Sequence, residues 1–141
     1  MSDDDTASVT MSLVQDHLVA TLPAELTSGL LARFPADLAE RLNRCRCAGV
    51  VMDCSAVEVM DDADFAALVR AGRTASVMGV AAVLTGLHPG VVAALVGLGV
   101  SVDVEAALST DDAFRRIAEL RARRGAAERS GSPIVRQTDR T

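Results

Sequence analysis

One continuous stretch near the middle of the chain, residues 50–65, restricts the possible fold more than any other. It opens with the apolar, largely β-branched run Val50-Val51-Met52, which is bounded by polar residues and predicts a buried strand. After a short apolar turn, a periodic apolar run begins at Phe65. Acids at a helix start accept hydrogen bonds from unpaired backbone N–H groups and suit the positive end of the helix dipole. Three such acids precede Phe65: Asp61, Asp62 and Asp64. The stretch therefore predicts a strand, an acidic turn and a helix N-terminus.

The first part of the chain predicts a β-hairpin followed by a helix. Two short extended runs, Ser8–Val14 and His17–Leu22, are separated by Gln15-Asp16, as in a hairpin. Apolar residues then recur at helical spacing up to Leu42. Because Pro suits the first helical position, Pro35 is predicted to begin the regular helix, after a looser lead-in at residues 29–34.

The second part continues to alternate between strands and helices. The predicted elements are a helix from Asp61 to about Val77, a strand at Val80–Leu84, a short helix over residues 91–98, a strand at Val100–Val104 and a last helix capped by residues 109–112. The order is β-β-α-β-α-β-α-β-α. Such alternation after a hairpin predicts an α/β fold, with a mixed, mostly parallel β-sheet of about five strands and about four helices.

Length and composition predict one domain, at residues 8–124 of the 141 in the chain. Residues 1–7 and 125–141 are small and polar and are expected to be disordered. The net charge is -5, and the chain contains neither Trp nor Tyr. It therefore lacks both the basic surface and the stacking side chains of a nucleic-acid binder.

The segment Val77–Val102 contains no Asp, Glu, Lys or Arg, so its hydropathy alone would suit a membrane span. Six Gly and Pro residues interrupt it, however, with a turn in the middle, which favours a buried strand and a packed helix. Three cysteines, an odd number, and the lack of a recognisable signal peptide fit a reducing compartment. We therefore expect a cytoplasmic protein without membrane insertion.

No residue pattern in the chain predicts an active site or a cofactor. Cys45-x-Cys47 lacks the two-residue spacing of common zinc sites, and it fits small apolar residues beside a strand. His88 precedes a proline and is interpreted as a turn residue, since no Ser or Cys is placed beside it by a readable motif. A magnesium site is possible in charge terms, but no Gly-rich phosphate loop accompanies its candidate ligands. These candidates are Asp53, Asp61, Asp62 and Asp64.

Residues 50–65 resemble the central segment of STAS domains, the fold of bacterial anti-sigma factor antagonists. Those domains have a strand, then Asp-x-Ser/Thr, then an Asp-Ser or Asp-Thr pair that opens the next helix. Asp53 and Ser55 match the first motif, and Asp61 matches the Asp of the second. Asp62 occupies the position of the regulatory phospho-acceptor, so the resemblance implies a permanent partial mimic of the phosphorylated state or loss of that switch.

A second segment, Val83-Leu84-Thr85-Gly86-Leu87-His88-Pro89, resembles the stressosome branch of the same family, and Gly97-Leu98-Gly99-Val100 follows it as in that branch. The element order agrees with the STAS fold from about Ser8 to Leu120. With no sensor domain ahead of this unit, the chain is similar to the single-domain scaffold type.

The resemblance implies a non-enzymatic protein-interaction module that regulates a sigma factor pathway in a stress response. Its expected partners are a switch kinase or anti-sigma factor of the GHKL type and STAS paralogues, in a homo- or hetero-oligomer. The implied switch and partner-binding residues are Asp53, Ser55, Asp61, Asp62, Asp64 and Thr85.

Several alternatives stay open from the sequence. The chain could instead be a STAS subunit of a lipid or anion transport complex, or a metal-dependent enzyme that uses the Asp cluster. Ser55 or Thr85 could replace the missing phospho-acceptor, although such hydroxyls more often satisfy local backbone groups. The Arg-rich end of the last helix, up to Arg124, fits dipole complementation and a solvated face, with a basic partner surface as the alternative.

Overall fold

The computed structural model describes residues 8–88, 91, 93 and 105–129. Its elements follow the chain in this order: β1 (Thr10–Val14), β2 (His17–Thr21), α1 (Ser28–Arg44), β3 (Gly49–Asp53), α2 (Asp62–Val77), β4 (Ala81–Thr85), β5 (Glu105–Ala107) and α3 (Thr110–Arg129).

The five strands form one mixed sheet in the order β1-β2-β3-β4-β5. β1 and β2 are antiparallel and are joined at Gln15 and Asp16, whose φ values of 48° and 71° suit a tight two-residue hairpin turn. The other neighbours pair in parallel. The predicted hairpin and the predicted mixed, mostly parallel sheet are therefore confirmed. Parallel pairing also brings the carboxyl ends of β2, β3 and β4 to one edge.

Helices cover both faces of the sheet, which explains the unbroken apolar run in β3. Val50 and Met52 pack into a core with α1 and α2, where Phe34 and Phe65 are among the largest buried side chains. Successive side chains on a strand point to opposite faces. Val51 accordingly packs on the other face, in a cluster with Val19, Val83, Ala113 and Ile117.

The start of α1 corrects the sequence prediction. The helix begins at Ser28, with Pro35 inside it, rather than at Pro35. Thr27 is the N-cap, and its Oγ1 accepts a hydrogen bond from the Leu30 N–H at 3.1 Å. Leu30 and Leu31 are both buried in the core. Their burial and the cap outweigh the hydrogen bond that a proline inside a helix cannot donate.

The second half also differs from the prediction in its details. β5 lies at Glu105–Ala107. The predicted strand at residues 100–104 lies outside the described residues, and so does most of the predicted helix at residues 91–98. Three helices are thus defined in the described ranges, against about four predicted. α3 continues past Arg124 to Arg129, because residues 126–129 (Ala, Ala, Glu and Arg) are strong helix formers. Residues 1–7 and 130–141 lie outside the description.

The apolar segment from Val77 to Val102 is described only in part, up to residue 88 and at two later positions. Its described portion contains β4, which pairs with strands on both sides. Within the ranges that the structure describes, no helix has both the length and the apolar character needed to cross a bilayer.

Candidate partner-binding site

The loop that follows β3, residues 54–60, lies at the carboxyl edge of the sheet and is tied to its neighbours by backbone hydrogen bonds. The Cys54 N–H donates to the Thr85 carbonyl at 2.8 Å, which joins the loop to the end of β4. The Glu58 N–H donates to the Ala24 carbonyl at 3.1 Å, which joins it to the segment after β2. Because both ends of this span are bonded, the loop forms a defined surface at this edge.

Gly86, directly after β4, lies against the same loop. Its φ is +81°, a conformation that side-chain-bearing residues rarely adopt. A Cβ atom at this position would be only 2.5 Å from the Ser55 backbone nitrogen and 2.7 Å from the Ser55 Cα. The close approach of the two loops therefore requires glycine at position 86.

Asp53 and Ser55 form a local turn. The Oδ1 atom of Asp53 accepts a hydrogen bond from the Ser55 N–H at 2.9 Å, as in an Asx turn. The Ser55 residue is exposed, whereas Cys54 between them is buried. The Asp53 carboxylate thus shapes the loop and leaves the Ser55 hydroxyl on the surface.

Asp61 and Asp64 form a reciprocal capping box at the start of α2. The Oδ1 of Asp61, the N-cap residue, accepts a hydrogen bond from the Asp64 N–H at 2.8 Å, and the Oδ2 of Asp64 accepts one from the Asp61 N–H at 3.2 Å. Each carboxylate satisfies a backbone donor that would otherwise lack a partner. These two acids therefore have a direct structural role in beginning the helix.

Asp62 differs from the two acids beside it. It is the first residue of α2 and is exposed, and its Oδ1 accepts a hydrogen bond only from the adjacent Ala63 N–H at 2.9 Å among the described residues. Val59, in the loop just before it, is 77% exposed. The surface here thus combines a carboxylate at the positive end of a helix dipole with an apolar side chain in solvent.

Thr85 lies at the same edge but is hidden. It is 2% exposed, and its hydroxyl has no hydrogen-bond partner in the part of the chain that the structure describes. Its register partner in β3 is Asp53. By strand alternation, both side chains lie on the face that α3 covers, like those of Val51 and Val83. A kinase needs an exposed hydroxyl, so the fold presents Ser55 and not Thr85.

The structure therefore brings the six predicted site residues to one edge of the sheet but divides them into two groups. Asp53, Ser55 and Thr85 belong to the ends of β3 and β4, and the three acids of α2 belong to the opposite helical layer. Within the described ranges, no three His, Cys, Asp or Glu side chains are placed to hold a metal ion together.

The model of the STAS domain family matches residues 8–113. The chain belongs to the STAS domain family. No curated protein sequence gives a significant match.

Solved structures with the same fold include an RsbS protein and a chain of the stressosome. One is a serine-to-glutamate variant of RsbS from Moorella thermoacetica, which is 26% identical, with a TM-score of 0.68 over 81% of this chain and 97% of that chain. Another is from a study of the architecture of the stressosome, a signal integration and transduction hub, also at 26% identity and TM-score 0.68, over 79% and 97% of the two chains. The murine anion transporter of the Solute Carrier 26 family, member A9, is 18% identical, with a TM-score of 0.61 over 75% of this chain and 18% of the transporter, which is a likeness of fold.

In this STAS domain, two features of the site lie beyond what the residue pattern indicated. One is the contact between Gly86 and Ser55, and the other is the burial of Thr85. The positive φ of Gly86 could have been expected from a glycine directly after a strand. Nothing in the local pattern identifies Ser55 as its neighbour, because the two residues belong to different strand ends.

The buried thiol of Cys54 should make the STAS domain less stable at high pH. Burial, with a further contribution from Asp53, raises the pKa of Cys54 from 9.0 to about 12. Above pH 9 the unfolded chain releases this proton while the folded chain keeps it, so stability falls as pH rises. We expect a loss of about 1.4 kcal/mol between pH 8 and pH 10, measured by urea unfolding.

This pH window is simple to interpret because the chain has no Lys or Tyr, the other side chains that titrate near pH 10. Cys54→Ala should remove most of the pH dependence, even if it lowers stability at every pH. The pKa of Cys47 is also raised, first by burial and then by the nearby Cys45. Cys47→Ala is therefore the matched control, and it should remove a smaller share of the pH dependence. An unchanged slope in Cys54→Ala would contradict this prediction.

Proposed function

We propose that this STAS domain is a non-enzymatic protein-interaction module of a sigma factor pathway, acting as a stressosome scaffold or anti-sigma factor antagonist. Its proposed partners are a GHKL-type switch kinase or anti-sigma factor and STAS paralogues, in a cytoplasmic oligomer. The fold neighbours support this class of function, since they include RsbS and a stressosome structure.

The single observation that carries the proposal is the exposure of Val59, on a loop fixed by hydrogen bonds, together with that of Asp62 at the start of α2 just after this loop. A partner that covered this surface would remove the Val59 side chain from water, which favours association. The loop is bonded to the segment after β2 and to the end of β4, so this surface is formed before a partner binds. A preformed surface loses less conformational entropy on association.

The chemistry of Asp62 suits a switch that is held in one state. A phosphoserine at a helix start would carry nearly two negative charges, whereas a carboxylate carries one. The first N–H groups of α2 and the helix dipole stabilise either group. The neighbouring RsbS structure is a serine-to-glutamate variant, so that chain also carries a carboxylate where it naturally has a hydroxyl. We infer that Asp62 supplies part of the phosphate's charge permanently.

The exposed side of α2 extends this surface along the helix. This side of α2 consists of residues at helical spacing, none of which is buried: Asp62, Ala66, Arg70, Arg73 and Val77. Beside its far end, a cavity of about 390 Å³ is lined by Pro35 of α1 together with residues of α2. The proposed partner surface therefore runs from the acidic turn along α2 toward α1.

Binding to a purified switch kinase from the same organism tests the proposal, and Val59 offers a sharp variant. We expect Val59→Ser to weaken the complex by about 1.5 kcal/mol, roughly tenfold, because the partner would bury this side chain. Isothermal titration calorimetry measures the affinity. Leu108→Ser is the matched control, since Leu108 is 83% exposed but lies next to the start of α3.

Two outcomes would count against the proposed function. One is the lack of a complex with any GHKL-type kinase, anti-sigma factor or STAS paralogue of the organism. The other is an equal loss of affinity in Val59→Ser and Leu108→Ser, which would place the contact elsewhere. Light scattering of the chain, alone and mixed with its paralogues, tests the proposed assembly separately.

A further inference from the structure

Two of the three cysteines lie close together at the junction between α1 and β3. Cys45 is the C-cap residue of α1, and Cys47 lies two residues before Gly49, where β3 begins. Both cysteines are half-buried, and both line an open cavity of about 450 Å³ that a small molecule can enter. We propose that Cys45 and Cys47 are an oxidisable dithiol, which a hydroperoxide converts into an intramolecular disulfide.

The backbone places the two thiols on the same side of the chain. Cys45 has a φ of -138° and a ψ of 150°, which is extended backbone. In an extended chain, side chains two residues apart point in the same direction and the side chain between them points away. The exposure of the segment agrees with this alternation, since Arg46 is exposed between two half-buried cysteines. Burial first, and then the nearby Cys45, raise the pKa of Cys47, so the two sulfurs are close enough to interact electrostatically.

The spacing of the two cysteines requires a small movement of the backbone before the bond can form. Two residues of fully extended chain span about 6.6–7.2 Å, whereas a disulfide needs Cα atoms about 4.4–6.8 Å apart. Residues 45–48 belong to neither a helix nor a strand, so this segment can adjust without breaking either element. A ring this short is strained and therefore easily reduced, which is typical of a reversible modification rather than a structural disulfide.

One hydrogen bond at the end of α1 depends on the oxidation state of the pair. The Sγ atom of Cys45 donates to the Arg41 carbonyl at 3.2 Å, in the last turn of the helix. The disulfide has no S–H group, so its formation removes this bond. The junction between α1 and β3 is therefore the part of the molecule that responds to oxidation.

The third cysteine, Cys54, is excluded from the reaction by its burial. It lies beyond the other end of β3, is 2% exposed and packs into the core with α1 and α2. Burial, with a further contribution from Asp53, raises the pKa of Cys54 to about 12. Because the thiolate is the form that reacts with oxidants, Cys54 should stay reduced while the pair at the cavity is oxidised.

The reaction balances as a two-electron oxidation in two steps. The Cys45 thiolate attacks hydrogen peroxide, an S–O bond forms, the O–O bond breaks, and the leaving oxygen takes up a proton to become water. The Cys47 sulfur gives up its proton and attacks the Cys45 sulfur, the S–O bond breaks, and the second oxygen also leaves as water. We assign the second step to Cys47 because its raised pKa makes it the poorer thiolate at neutral pH.

Intact-mass spectrometry of the full chain counts the thiols that remain after treatment with hydrogen peroxide. Catalase removes the peroxide, and N-ethylmaleimide then labels the free thiols in urea. The reduced chain should take three labels and the oxidised chain one, and dithiothreitol should restore all three. Three labels after peroxide, or a loss of labels that dithiothreitol does not reverse, would overturn the proposal.

Tryptic peptides identify the bonded pair. Trypsin cleaves between the two cysteines, after Arg46, and next after Arg70, so a bond between Cys45 and Cys47 links two separate peptides. The second peptide also contains Cys54, and the Cys54→Ala variant therefore assigns the bond to Cys47 unambiguously. Cys54→Ala should form the bond like the wild type, and Cys45→Ser, the matched control, should form none. A bond that requires Cys54 would overturn the proposal.

Phenylarsine oxide tests the spacing of the two thiols without an oxidant. Its arsenic bonds to two neighbouring thiols and releases its oxygen as water, so tight binding needs both sulfurs within reach. The wild type and Cys54→Ala should each form an adduct with one arsenical that blocks two labels. Cys45→Ser and Cys47→Ser should bind at least about tenfold more weakly, because each keeps one thiol at the cavity. Equal affinity in the wild type and Cys45→Ser would mean that the thiols do not act as a pair and would overturn the proposal.

Discussion

Gly86→Ala should lower the free energy of unfolding by about 2–5 kcal/mol. Two costs add together at this position. The left-handed backbone of residue 86 disfavours a side chain by about 1–2 kcal/mol. The new Cβ would also lie 2.5 Å from the Ser55 nitrogen, and relieving such an overlap typically costs about 1–3 kcal/mol. Urea unfolding followed by circular dichroism measures the loss.

Gly79→Ala separates these two costs. Gly79 has nearly the same φ, +83°, but a Cβ there would meet only the Nη1 of Arg124, at 3.9 Å. We therefore expect Gly79→Ala to cost about 1–2 kcal/mol, the backbone term alone. Equal losses of stability at the two glycines would mean that the overlap of the new Cβ with Ser55 adds no cost at position 86.

Gly86→Ala should also disturb the proposed partner surface, because the overlap is with the backbone of Ser55 itself. If the loop moves to relieve it, Ser55 and the residues toward Val59 will shift with it. We expect weaker binding of the switch kinase even under conditions where Gly86→Ala is fully folded, whereas Gly79→Ala should bind like the wild type.

The second large effect is expected at Asp62. A partner that recognises the unphosphorylated surface would have to cover an unpaired carboxylate there, which is costly unless a donor meets it. Asp62→Ser should therefore strengthen binding to such a partner by about 1–3 kcal/mol and create a phosphorylation site. Asp62→Ala should remove the charge without creating the site. Calorimetry with the switch kinase and incorporation of radiolabelled phosphate measure the two effects.

The stability change at Asp62 should be small, because Asp61, and not Asp62, is the N-cap of α2. Loss of the charge next to the helix dipole costs about 0.3–1 kcal/mol. Asp111→Ser is the matched control, since Asp111 is an exposed acid in the first turn of α3. If wild type, Asp62→Ser and Asp62→Ala bind alike, and Asp62→Ser takes up no label, the acidic turn serves only to begin the helix.

Much of the local structure around the acidic turn could be predicted from the residues alone. The buried strand was predicted at Val50–Met52 and spans Gly49–Asp53, and the helix predicted from Asp61 begins at Asp62. These features depend on apolar periodicity and on hydrogen bonds between residues three apart in the chain, such as those between Asp61 and Asp64. Such interactions form wherever the segment is placed, so a short window of sequence contains the information.

Two elements could not be placed from the sequence because tertiary contacts decide them. By local preference, Pro35 predicts the start of a helix. α1 instead begins earlier, at Ser28, because Leu30 and Leu31 are buried in the core and Thr27 caps the helix. β5 is a short strand at the edge of the sheet whose first two residues are exposed, so no apolar run predicts it. Its position depends on pairing with β4, which the sheet as a whole provides.

The sequence by itself thus determined the STAS fold and the acidic turn, and it adds the prediction that Asp62 stands at the position of the phospho-acceptor. Only the tertiary structure decided which of these side chains a partner can reach. Thr85 is covered while Ser55, Asp62 and Val59 are exposed, and Gly86 closes against Ser55. The physical reason is that exposure and close contact are set by elements distant in the sequence, which pack together only when the sheet and its helices assemble.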